Sequence, residues 1–198
     1  MKLQERLPGG VIVDGRKYRL DFDFRNVLSM LETLARDDLM PDARAWLALK
    51  CLMKHPPKNP LPVIAAVKAL LFPDSGGKQP TQKKLTDFKQ DADLIRAAFL
   101  QAYKINLWRD SLHWMEFTAL LNALPEGSRY SEILGIRARP MPKPTKYNQE
   151  ERKWLAQAKA ACAVQMSDKE RESILHASMH RTAASLLRLA ERGEQSAK

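Results

Sequence analysis

Four kinds of side chain in this sequence have the types and spacing that chemistry would need, and each can be followed to what it would do. His176 and His180 stand four apart, which puts two imidazoles on one helical face within reach of a single metal ion. Ala-Ser-Met fills the gap between them and no third ligand is apparent, so two exposed polar positions are expected there and no metal. His113, set between Leu112 and Trp114, carries no Cys, Ser or carboxylate signature of a catalytic base and reads as a hydrogen-bonded structural histidine. Asp91 and Asp93 are two apart, and such residues do not face each other on a helix, so they form no acid/base dyad. Cys51 and Cys162 lie in helical patterns, ALKCLMK and KAACAVQ, with no partner thiol or clustered histidine nearby. Gly77-Lys78 runs into Gln79-Pro80 where a phosphate loop needs Ser or Thr opening a helix. Neither a Gly-x-Ser-x-Gly elbow nor a His-Glu-x-x-His pair occurs. The expectation is a protein that is not an enzyme and holds no cofactor.

The elements that would position these residues belong to an ordinary folded chain. Of 198 residues, 44% are apolar and 28% charged, which are globular proportions. That length suits one domain with an appendage, or two small units. The opening MKLQERLPGG has no apolar signal region, and no run approaches the roughly 18 apolar residues that a spanning helix needs. A soluble cytoplasmic protein, not associated with membrane, is expected. The formal net charge of +10 raises the question of nucleic acid. Through Ile136, 20 Lys and Arg face 16 Asp and Glu; from Arg137 onward the balance is 13 against 7. The excess is thus concentrated in the last third, where acids interleave (EERK, SDKERE) as on a solvated helix face. A basic nucleic-acid-binding role is the alternative reading, and a minor structural component of a virion is another.

Val11 to Leu20 sets two β-prone runs around Asp14-Gly15, a dipeptide suited to a type I′ turn, and reads as a hairpin. Asp23 caps a helix over Phe24 to Ala35 with Val27, Leu28, Leu31 and Leu34 at helical spacing. Pro41 opens a second helix that ends before His55, and Leu61-Pro62 a third reaching Phe72. Pro73 to Thr86 is a loop. Helices are then expected from Asp87 to about Tyr103 and from Ser111 to Leu124, with a shorter one capped by Ser128 or Ser131. Three prolines between Arg139 and Thr145 make an extended linker, after which Asn148 to Met166 and Ser167 to Arg192 read as two more helices. The fold class is mainly α: a helical bundle with a small N-terminal β-hairpin and a C-terminal helical arm. The divisions are 1–138 for the core domain, 139–147 for the proline-rich linker and 148–198 for the basic arm.

Large rings near loops are the remaining unusual feature, because aromatics dominate interface energetics when they stand outside a core. The residues expected to meet a partner are Trp108, His113, Trp114, Phe117, Arg137 and Trp154.

An ordered series of positions resembles the gene-product-fifteen family of tailed phages. It begins with Leu7-Pro8, Val11, Val13-Asp14-Gly15, Tyr18 and Asp23-Phe24-Arg25. It continues with Asp87-Phe88-Lys89-Gln90-Asp91, Ile95, Ala97-Ala98-Phe99, Gln101 and Tyr103, then Leu112-His113-Trp114, Phe117, Leu120-Leu121, Leu124-Pro125, Ser131, Ile133 and Ile136-Arg137. Met115 stands where the family often doubles the tryptophan, and Lys104 where a glycine is common after the tyrosine. The resemblance implies a tail assembly chaperone in the host cytoplasm. Such a protein would shield the tape-measure protein, or hold other tail proteins, through apolar grooves and without a catalytic centre. Self-association stays open.

Overall fold

The computed structural model of the protein describes residues 4–73 and 85–165. His176, His180, the helix expected from Ser167 to Arg192 and most of the Pro73–Thr86 loop lie outside the described residues. The fold is mainly α, as expected. Among the described residues a two-stranded hairpin, β1 (Gly10–Val13) and β2 (Arg16–Arg19), precedes seven helices. These are α1 (Phe24–Leu34), α2 (Pro41–Leu52), α3 (Leu61–Leu71), α4 (Ala92–Tyr103), α5 (Trp114–Asn122), α6 (Arg129–Ala138) and α7 (Gln149–Ala161).

The chain divides into two compact units: described residues within Met1–Lys83 and Asp91–Ile133 form the first, and those within Lys84–Gln90 and Leu134–Lys198 the second.

In the first unit the hairpin turns at Asp14-Gly15, both at positive φ (49° and 75°), and this pairs Gly10 with Arg19 and Ile12 with Lys17. One strand face must be covered for so small a sheet to persist, and β1 packs along α3. Asp23 caps α1 by accepting the amide of Arg25 at 2.9 Å. The buried stripe of α1 is Phe24, Val27 and Met30; it lies on α2, whose Ala45 and Ala48 let the two helices approach closely. Buried Val63, Ile64, Val67 and Leu71 give α3 its inward face.

Two helices begin later than the periodicity suggests. The Asp87 carboxylate accepts the amides of Lys89 and Gln90 in a side-chain turn, so α4 starts at Ala92. Residues before Trp114 pair instead with the start of α1: Phe24 N–H donates to Leu112 O at 3.0 Å and Trp114 N–H to Phe22 O at 2.7 Å. At the other end of α4, Lys104 takes the left-handed conformation (φ 59°) as the C-cap. A Cβ is unfavourable in that conformation, which glycine adopts without strain. Lys104→Gly is expected to stabilise the first unit by about 0.5–1 kcal/mol, read as a rise in denaturation midpoint at unchanged slope.

In the second unit the proline-rich segment is not a free linker. Polyproline-like backbone makes no internal hydrogen bonds, so its carbonyls need donors from elsewhere. Side chains near and in α7 supply them: Arg152 donates to Pro142 O, and Asn148 Nδ2 to Lys143 O at 2.9 Å, while Arg139 pairs with Glu151 at 2.8 Å. The Leu155 side chain of α7 is fully buried. The helix stops at Ala161, short of the expected Met166, because the Gln90 amide takes over the backbone that follows. Gln90 Nε2 donates to Ala163 O at 2.9 Å and Gln90 Oε1 accepts the amide of Gln165 at 2.8 Å.

Candidate functional site

The six residues named for a partner separate into core, scaffold and surface. Trp114 and Phe117 are core rings, 4% and 1% exposed. Phe117 stacks on Phe24 (centroids 4.7 Å) and on Phe99 (5.3 Å), with Trp114 at 5.8 Å and Phe72 edge-on to Trp114. Neither ring can touch a partner without opening the core.

His113 is scaffold, and its surroundings include a Ser and an Asp that its flanking sequence did not announce as a catalytic set. Ser111 Oγ donates to Asp23 Oδ2 at 2.6 Å, so Asp, Ser and His meet at one junction. The imidazole is fully employed elsewhere. Its Nδ1 accepts the amide of Met115 at 3.1 Å, which caps α5 and leaves the ring proton on Nε2, facing Pro8 O at 3.0 Å. Ser111 therefore has no imidazole to take its proton, and the cluster joins the hairpin, α1 and α5 instead of relaying charge.

Arg137 is scaffold for the second unit. Its guanidinium donates to Cys162 O at 2.5 Å and to Leu85 O at 2.8 Å, while its own carbonyl accepts from Lys159 Nζ at 2.8 Å. Trp154 of α7 stands 54% exposed.

Trp108 is 65% exposed and sits on the loop between α4 and α5. Asn106 organises that loop: its carbonyl accepts the amides of Arg109 (2.9 Å) and Asp110 (2.8 Å), and its Oδ1 accepts the amide of Trp108 at 3.0 Å. Asp110 Oδ2 returns the favour to the Asn106 amide at 2.7 Å. From α1, Arg25 reaches over to donate to the carbonyls of Leu107 (3.0 Å) and Asp110 (2.6 Å), its other nitrogen held by Asp23 at 3.2 Å. Leu107 is buried, which pins the residue next to the indole. Arg96, paired with Asp93 at 3.0 Å, lies 4.9 Å from the Trp108 ring centroid. A large ring is thus presented to solvent on backbone of fixed shape, so little ordering remains to be done when it is covered. Arg25, Asn106 and Asp110 escaped sequence reasoning. The Asn-x-x-x-Asp spacing was a weak available signal; Arg25 stood in the family series, which gave no sign of its reach to this loop.

No group of three or more His, Cys, Asp or Glu side chains able to hold a metal occurs among the described residues, and no helix there is long and apolar enough to cross a membrane.

The model of the family described as Bacteriophage Gp15 protein matches residues 3–164. The chain belongs to that family. It is a bacteriophage protein. No curated protein and no solved structure matches it. The Gp15 match runs past Arg137, where the recognisable pattern stops, through the proline-rich segment and α7. It ends within 163–165, the stretch that Gln90 clamps, so the family body includes both units and not the hairpin-and-helix core alone.

Proposed function

We propose that this Gp15 protein is a non-enzymatic tail assembly chaperone, which works in the host cytoplasm by binding the tape-measure protein and shielding it until the tail is built around it. Membership of a phage family supports the setting. The observation that carries the binding role is Trp108, an exposed indole on a loop pinned by its own side chains and by Arg25. Exposed tryptophans held in one conformation are the residues that most often concentrate binding energy at protein interfaces.

Co-expression with the tape-measure protein of the same phage tests the reading. A soluble, co-purifying complex is expected, and Trp108→Ala should weaken it at least about tenfold while leaving the fold intact. A tape-measure protein that stays insoluble, with no complex, would remove the proposal.

A further inference from the structure

The hairpin has a second face that no described residue covers. Strand side chains alternate, so the pairing of Gly10 with Arg19 and Ile12 with Lys17 puts these four positions on one side. Val11 and its partner Tyr18 are on the other, where Val11 is buried. The outer face is irregular in a specific way. A Cβ at Gly10 would lie 2.0 Å from the Tyr18 carbonyl oxygen and 3.1 Å from the Arg19 Cα, so only glycine lets the two strands come this close. Ile12 itself is 70% exposed, between the cations of the facing strand. Beside it lies an open depression of about 410 Å³, lined by Pro8, Gly10, Ile12, Lys17 and Arg19 among others, with no acidic residue in its wall.

We propose that this depression is a docking site for a short peptide segment of a partner protein, one that carries an apolar side chain flanked by carboxylates. The apolar group enters the depression against Ile12 and Pro8. The carboxylates meet Lys17 and Arg19, which stand about 7 Å apart on one strand face, the spacing of alternate residues in an extended chain. Charge complementarity selects the occupant: two cations and no acid favour carboxylates, and the exposed Ile12 favours an apolar group between them. A nucleic acid fits less well, because the face offers no ring on which a base would stack, Tyr18 being on the opposite side. The site is separate from the Trp108 loop and does not depend on the tape-measure reading.

The test uses the full chain, isotope-labelled, titrated with a blocked peptide of sequence Glu-Ser-Leu-Ser-Glu and with its Gln-Ser-Leu-Ser-Gln counterpart. Saturable shifts confined to the amides of Gly10–Arg19 are expected with the acidic peptide. Affinity should fall at least about tenfold in Ile12→Thr, which keeps a β-branched residue, and again in Lys17→Glu, while Trp108→Ala leaves it unchanged. Four results would each overturn the proposal: no saturable shift up to about 10 mM peptide, equal binding of the glutamine peptide, an oligothymidylate that displaces the acidic peptide from these amides, or hairpin shifts that follow protein concentration alone, which would assign the face to a second copy of this chain.

Discussion

Phe117→Ala is expected to cost about 3–5 kcal/mol, a large share of the roughly 5–15 kcal/mol that holds a typical domain folded. The side chain is 1% exposed and touches three other rings, two of them in near-parallel stacks with Phe24 of α1 and Phe99 of α4. Removing it opens a void where α1, α4 and α5 meet, and stacked partners on two sides cannot both collapse into it. Urea denaturation followed by far-ultraviolet circular dichroism gives the number. A loss below about 1 kcal/mol would mean that the stack is not the keystone of the unit. Phe117→Leu should recover roughly half, since it restores apolar volume without the ring contacts.

Arg25→Ala is the second large effect, and it joins stability to binding. The guanidinium supplies charge-assisted hydrogen bonds to the carbonyls of Leu107 and Asp110, each worth about 1.5–3 kcal/mol when buried and less here because the side chain is partly exposed. A total loss of about 1.5–3 kcal/mol is therefore expected. The sharper consequence is local. With Arg25 gone, the 106–110 loop keeps only its internal ties, so amide exchange at Trp108 and Asp110 should accelerate. Partner affinity should fall with it, although Arg25 is not the exposed anchor. Unchanged protection at these amides, or unchanged affinity in a variant whose loop has loosened, would break the link between the rigid loop and recognition.

Much of the architecture was legible because it is local. The positive φ values at Asp14-Gly15 follow from the dipeptide, the α1 cap from Asp23, and the inward face of α3 from spacing within one or two turns, whereas in α1 only Val27 of the expected stripe is fully buried, with Phe24 and Met30 beside it and Leu28, Leu31 and Leu34 half-buried. The left-handed conformation that Lys104 takes after Tyr103 is a backbone requirement met at some expense. Helix starts were less legible where a side chain competed for the first amides. At Asp87 the competing turn lies in the sequence itself; at Trp114 the competitor is a strand-like pairing with residues some 90 positions earlier.

The candidate site divides in the same way. By itself the sequence determined which residue types are available: four tryptophans, a basic surplus from Arg137 onward, and no motif that would arm a nucleophile. It could not sort Trp108 from Trp114, six positions apart in similar surroundings. Only the tertiary structure decided that, because a ring's exposure depends on which distant groups arrive beside it. Phe24, Phe72 and Phe99 converge around Phe117 and Trp114, whereas Arg25, 82 positions from Leu107, pins the loop that holds Trp108 out. Likewise the proline-rich stretch has the composition of a spacer, and Arg152 and Asn148 turn it into part of a folded unit. Composition and period set what each segment can form; partners far along the chain set what each surface is left to do.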